Sequence, residues 1–207
     1  MIKEMQLSKL LEEFAASTAV PGGGSASAVA AALAASLGMM VCRLTLGRDK
    51  YEQVQQEVEN LLGELEDHGT KLLGLADEDA AAYTEMAKAM SLPRETDQEK
   101  ADRMEALQET AMKAAEVPAR TLSASLRVME IVARLCEIGN RNAISDAGCA
   151  MSLANAAVWG GYLNVLVNVP YLGDDDRREK LVESTKEDLL KATEIFKRAI
   201  GGISINL

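Results

Sequence analysis

DKYEQVQQEVENLLGELEDHGTKLLGLADEDAAAYTEMAKAM, residues 49–90, is the stretch that decides the fold. Val54, Val58, Leu61, Leu65, His68, Leu72, Leu75, Asp79, Ala82 and Met86 follow one another at alternating spacings of four and three. That period of 3.5 is the seam of a long helix packed on other helices. Asp49 with Glu52 three residues later has the form of a capping box and predicts a helix from Asp49 toward Met90. Two seam positions are not apolar, His68 and Asp79. A carboxylate on a buried seam is costly unless it is partnered, or else its pKa rises. A shifted carboxyl group in a wet cleft is what general acid–base chemistry uses. The plainer alternative is a seam that frays before Asp79 and leaves it in solvent. His68 stands about 16 Å from Asp79 along the axis, too far to pair with it, and reads as a core or cleft-lining residue.

Outward from this helix, two stretches carry no charge, Phe14 to Cys42 and Ala147 to Gly173. Their length would admit a membrane span. Pro21-Gly22-Gly23-Gly24 interrupts the first, and Asn155, Asn164 and Asn168, costly against lipid, mark the second. The better reading is two central helices, apolar all round and buried by the others, with no membrane partner. Residues from Met1 to about Ser17 form an amphipathic opening helix. Pro93 ends the seam helix, and Thr96-Asp97-Gln98-Glu99 is a second capping box, opening a helix toward Ile138. Pro118 should bend or break that helix, and Gly139-Asn140 should stop it. The second uncharged helix should run to about Val169 and stop at Pro170. Asp174, Asp175 and Asp176 suit the start of a last helix, which Gly201-Gly202 should end. No strand alternation, repeat or linker interrupts the pattern. One all-α domain over residues 1–207 follows, a bundle of about six helices with long central buried helices.

Composition agrees and excludes other classes. Hydrophobic residues make up 48% and aromatic residues only 3%, too few for a sheet-rich fold. Lys plus Arg is 22 against 32 Asp plus Glu, a net charge of −10 with no basic run, which argues against nucleic-acid binding. Three cysteines without a CxxC pair suit a reducing compartment, so a cytoplasmic protein is expected. A single histidine excludes a His-rich zinc site, and no metal site is expected.

Three further features can bind ligands. Gly22, Gly23, Gly24 and Ser25 follow Pro21 and precede a buried helix, where free N–H groups attract carbonyl or anionic groups. The loop from Gly139 through Asn140 to Asp146 is densely polar. Asn164 and Asn168 share a helix face at i, i+4. Each also has a purely structural reading: close packing, caps, and amides satisfied by protein.

Taken in order, PGGGS at 21–25, Gly47-Arg48, Lys71, LADEDAAAY at 75–83, Leu92-Pro93, Val117-Pro118, Gly139-Asn140, Ser145-Asp146, Asn164-Val165 and Asn168 resemble the formimidoyltetrahydrofolate cyclodeaminases and related methenyltetrahydrofolate cyclohydrolases. The resemblance spans nearly the whole chain, and its specificity lies in the ordered set. It implies an all-helical bundle that forms a homodimer, with folate sites near the subunit interface. It places the catalytic acid at the second aspartate of the D-x-D motif, Asp79, which the seam had already singled out. It implies Arg48 and Lys71 as contacts for folate carboxylates, beside the substrate-binding candidates Gly22, Gly23, Gly24, Ser25, Asn140, Asp146, Asn164 and Asn168. The formimidoyltransferase domain to which mammalian relatives are fused has no room in 207 residues.

The implied reaction converts 5-formimidoyltetrahydrofolate to 5,10-methenyltetrahydrofolate and ammonia. The cyclohydrolase reaction, from 5,10-methenyl- to 10-formyltetrahydrofolate, uses the same bridge carbon. Neither is expected to need a metal or other cofactor. A non-catalytic helical interaction protein is the reading from another class, since heptads and an acidic surface would suit it equally.

Overall fold

An alanine-rich helix with almost no large side chains can let its neighbours come close, and the second helix of this chain is built that way. In the computed structural model, which describes residues 1–173 and 176–206, six α-helices follow in order: α1 Leu7–Ala15, α2 Gly23–Thr45, α3 Gln55–Met90, α4 Asp97–Ile138, α5 Ile144–Leu166 and α6 Asp176–Asn206. No strand occurs among the described residues. α2 lies against α3 and α5, α4 packs on α3 and α5, and α6 covers α4 and α5. Ala28, Ala31, Ala34 and Ala35 of α2 are fully buried. A Cβ on Gly38 would stand 2.9 Å from Leu65 Cδ1, so a glycine there sets the α2–α3 approach.

The heptad seam of α3 is the inner face. Val58, Leu65, Leu72 and Leu75 are fully buried and Met86 nearly so. The helix starts at Gln55 rather than Asp49, because residues Asp49–Val54 form a 3-10 turn in which Tyr51 has φ −115° and ψ 21°. The Asp49 side chain caps nothing. Gln55 organises this corner instead, its Oε1 accepting from Gly47 N–H at 2.7 Å and its Nε2 donating to the Tyr51 carbonyl at 2.9 Å. The Thr96–Glu99 capping box does form, with both reciprocal bonds present.

Pro118 does not break α4, which runs unbroken for 42 residues. Proline lacks the N–H that would bond the carbonyl of Ala114, four residues earlier. Asn168 supplies the missing donor, its Nδ2 reaching the Ala114 carbonyl at 3.1 Å. The opening segment is split into a 3-10 turn at Ile2–Glu4 and α1, because the Ile2 N–H donates to Asp77 Oδ1 and pins the chain end to α3. α5 ends at Leu166, three residues short of the expected Val169, and Pro170 sits in a following 3-10 turn, Val169–Tyr171. α6 continues through Gly201-Gly202 to Asn206, carried past them by Ile203, which is buried and lies within contact distance of Gly148 on α5. Asp174 and Asp175 lie outside the described residues; Asp176 opens α6.

Gly23–Thr45 and the stretch 141–171 are long and apolar enough to cross a bilayer. In this fold they are inner helices, yet neither is buried all round, as the sequence had suggested. Leu33 of α2 is exposed, and so is a stripe on and just beyond α5 formed by Trp159, Leu163, Leu166 and Val167. A helix at the rim of one chain's bundle is covered on its inner side alone.

Candidate active site

The glycines at 22–24 form the start of α2, with Gly22 at the N-cap and no side chain available to satisfy the first free N–H groups. Asp79, from α3, reaches that helix start. Its Oδ2 accepts from the Ser25 hydroxyl at 2.9 Å, and the nearby Ser25 backbone N–H favours the ionised carboxylate. Gly24 makes the approach possible, because a Cβ there would stand 2.0 Å from Asp79 Oδ1. Burial pushes the Asp79 carboxyl above its ordinary pKa, while the hydroxyl and N–H of Ser25 pull against that shift.

Ser25 is fully buried. Its Oγ also lies 2.9 Å from the Ala76 carbonyl. With one proton to give, the hydroxyl donates to Asp79 when that group is ionised. It can turn to Ala76 and accept from Asp79 when the acid is protonated. Both charge states of Asp79 therefore keep a partner.

A cavity of about 270 Å³ opens over this carboxylate. Gly22, Gly23, Gly24, Asp79, Asn164 and Asn168 form its polar wall. Tyr83, Met86, Met90 and Tyr171 form its apolar end. Tyr83 and Met86 follow Asp79 by one and two turns on the same helix face. Asn164 Nδ2 donates to the Gly160 carbonyl at 2.8 Å, and Asn168 Nδ2 is shared between the carbonyls of Ala114 and Asn164. The cleft thus joins a carboxyl group of raised pKa, free helix N–H donors, amide carbonyl oxygens and flat apolar walls. That set can move a proton at a polar centre held beside an aromatic ring. Among the described residues no group of three or more His, Cys, Asp or Glu could hold a metal ion.

The model of the formiminotransferase-cyclodeaminase family matches residues 6–187. The chain belongs to this family. Among its relatives, methenyltetrahydrofolate cyclohydrolase of Methylorubrum extorquens is 35% identical over 91% of this chain and 90% of its own length. Rat formimidoyltransferase-cyclodeaminase is 32% identical over 86% of this chain, which spans 33% of that longer protein. The crystal structure of formiminotetrahydrofolate cyclodeaminase from Thermotoga maritima superposes with a TM-score of 0.88 at 26% identity, covering 99% of this chain and 98% of that one.

Of the residues expected from the family resemblance, the fold brings Gly22, Gly23, Gly24, Asp79, Asn164 and Asn168 to one cavity, with Ser25 directly beneath Asp79. It does not bring Arg48, Lys71, Asn140 or Asp146 there. Arg48 follows the far end of α2, roughly 35 Å along the axis from Gly23. It is exposed, and its Nε donates to the Leu44 carbonyl at 2.7 Å. Lys71 is exposed on α3, two turns before Asp79. Asn140 is buried and committed to structure: its Oδ1 accepts from Asn142 N–H, its Nδ2 donates to the Leu44 carbonyl, and its backbone N–H donates to Thr45 Oγ1. Asp146 sits in the first turn of α5, at the opposite end from Asn164. His68 lies outside the cavity, half-buried, its pKa lowered by burial first and by Lys71 next. Sequence reasoning did not single out Tyr83, Met90 or Tyr171 as lining the site. The helical spacing from Asp79 could have found Tyr83, whereas Tyr171 arrives from another element with no local signal.

Proposed function

We propose that this family member acts on tetrahydrofolate at the carbon bridging N5 and N10, converting 5-formimidoyltetrahydrofolate to 5,10-methenyltetrahydrofolate and ammonia. The observation that carries this reading is Asp79, a carboxyl group of raised pKa held at the start of α2 and open to the cleft. The formimidoyl group enters as its protonated amidinium, and N10 attacks its carbon, forming the N10–C bond as the C=N π pair moves to the terminal nitrogen and makes it an amino group. The N10 proton passes to the Asp79 carboxylate, which returns a proton to the former imino nitrogen. The C–N bond to that nitrogen then breaks, ammonia leaves, and the cationic methenyl bridge remains beside the ionised carboxylate. A raised pKa favours an acid that must deliver a proton to a departing nitrogen.

The cyclohydrolase reaction is the second reading, supported by the full-length similarity to the Methylorubrum enzyme. There Asp79 would activate water toward the methenyl carbon. Two cuvettes separate the two. Pure protein given 5-formimidoyltetrahydrofolate should raise methenyl absorbance and release ammonia. Protein given methenyltetrahydrofolate should leave its decay at the uncatalysed rate. Accelerated decay with no ammonia from the first would make it a cyclohydrolase, and silence in both would leave a helical interaction protein.

The working unit of this reading is a homodimer. The stripe from Trp159 to Val167 is apolar and exposed, and Val167 also lines the cleft, so a partner seated there would border the substrate. A stable monomer in sedimentation at micromolar concentration would contradict this.

A further inference from the structure

The orientation of Asn168 is set by Pro118. Because Pro118 has no N–H, the Ala114 carbonyl is left without its helical donor, and Asn168 Nδ2 takes that place while also donating to the Asn164 carbonyl. A flipped amide would set its oxygen against two carbonyl oxygens. Asn164 is fixed in the same sense by the Gly160 carbonyl. Both N–H groups of the Asn168 amide and one of the Asn164 amide are thus taken by protein, and both Oδ1 atoms are left over. Both residues line the cavity, and the only sealed, unpartnered side-chain polar atoms among the described residues are His68 Nδ1 and Asp77 Oδ2. The two Oδ1 atoms are therefore open acceptors. Beside them lie the Gly23 and Gly24 N–H groups in the first turn of α2, which make no bond within the helix. A Cβ on Gly23 would stand 3.2 Å from the Asn164 amide and one on Gly24 2.0 Å from Asp79 Oδ1, so these donors sit between the asparagines and the acid.

We infer that Asn164 and Asn168 are the specificity residues of the cleft, their Oδ1 atoms accepting hydrogen bonds from the N–H edge of the reduced pterin ring. This rests on the folate reading above and says which part of the substrate goes where. A pterin carries its 4-oxo group on the same side as N5, and its N3–H and 2-amino donors follow along the adjoining edge. Placing the 4-oxo group on the α2 N–H groups turns N5 toward Asp79. The N3–H and 2-amino donors then meet the two asparagine oxygens. The order along the wall, from Asp79 through the α2 N–H donors to the asparagine acceptors, matches the order N5, 4-oxo, N3–H and 2-amino on the ring and not its reverse. Pro118 acts here as a positioning residue, holding Asn168 through the carbonyl it leaves free.

The test compares binding of tetrahydrofolate with that of its analogue in which methyl replaces the 2-amino group. The proteins are the wild type, Asn164→Ala, Asn168→Ala and Pro118→Ala. A site that hydrogen-bonds a donor rejects the analogue lacking it, so the wild type should prefer tetrahydrofolate by about tenfold or more. In both asparagine variants that preference should shrink to about threefold or less, with KM raised and kcat largely kept. Pro118→Ala returns an N–H to the Ala114 carbonyl and frees the Asn168 amide to turn. It should therefore weaken the preference without lowering the melting temperature. Preference undiminished in the asparagine variants would overturn the inference while leaving the folate reading intact. A wild type that binds no tetrahydrofolate would overturn both.

Discussion

Ser25 Oγ stands 2.9 Å from Asp79 Oδ2, across 54 positions of sequence, and joins the first turn of α2 to the middle of α3. This contact ties the glycine-rich motif to the acid. It fixes one carboxylate oxygen, and it opposes the rise in pKa that burial imposes.

Removing the hydroxyl should therefore move Asp79 further up. In Ser25→Ala the pH limb of kcat/KM that reports Asp79 ionisation is expected at higher pH than in the wild type. Turnover at neutral pH should fall about tenfold, the scale of a hydrogen bond to a charged group. A limb that stays in place would show that Ser25 does not tune this acid.

Gly24 is predicted to be intolerant for a steric reason. A Cβ would stand 2.0 Å from Asp79 Oδ1 and must push the carboxylate off the helix start. Gly24→Ala should cost about 1–3 kcal/mol of stability as local overpacking, and about a hundredfold or more in turnover as the acid is misplaced. Gly63→Ala is the matched control on α3, with nothing within 4 Å of its Cβ. It should gain about 0.5–1 kcal/mol from helix propensity and leave turnover unchanged. Chemical denaturation and steady-state rates on the two variants check both expectations.

Asp79 also makes stability depend on pH. Its folded pKa is raised by burial, so its contribution is fully present below the unfolded value near 3.8 and is lost as pH rises through the folded value. At neutral pH an ionised Asp79 is a net burden. Asp79→Asn should melt higher than the wild type at pH 7, and the two curves should converge below about pH 4. A wild type more stable than the variant at pH 7 would contradict the burial argument.

The fold was legible because α3 carries a strict four–three alternation and its apolar members are the inner face. The aspartate on that face was legible for the same reason, as a polar residue where the pattern demands an apolar one. Local signals misled where a distant group intervened. Asp49 and Glu52 look like a cap, but Gln55 and Gly47 organise that corner. Pro118 looks like a break, but Asn168, 50 positions later, repairs the ladder. Gly201-Gly202 look like a stop, but buried Ile203 carries the helix onward. Asn140 looked like a ligand contact because polar loops often are, and its hydrogen bonds turn out to join the ends of α2 and α4. Tyr171 was invisible for the converse reason, since nothing in its own neighbourhood marks it as a wall of a cleft built by four other elements.

The central claim is that Asp79 moves the proton that releases ammonia. The most direct measurement is the rate of methenyl formation from 5-formimidoyltetrahydrofolate by the wild type and by Asp79→Asn, with tetrahydrofolate affinity measured on the same samples. The account predicts a loss of about 10²–10⁴-fold in kcat with affinity largely kept. Turnover of the variant at the wild-type rate would contradict it.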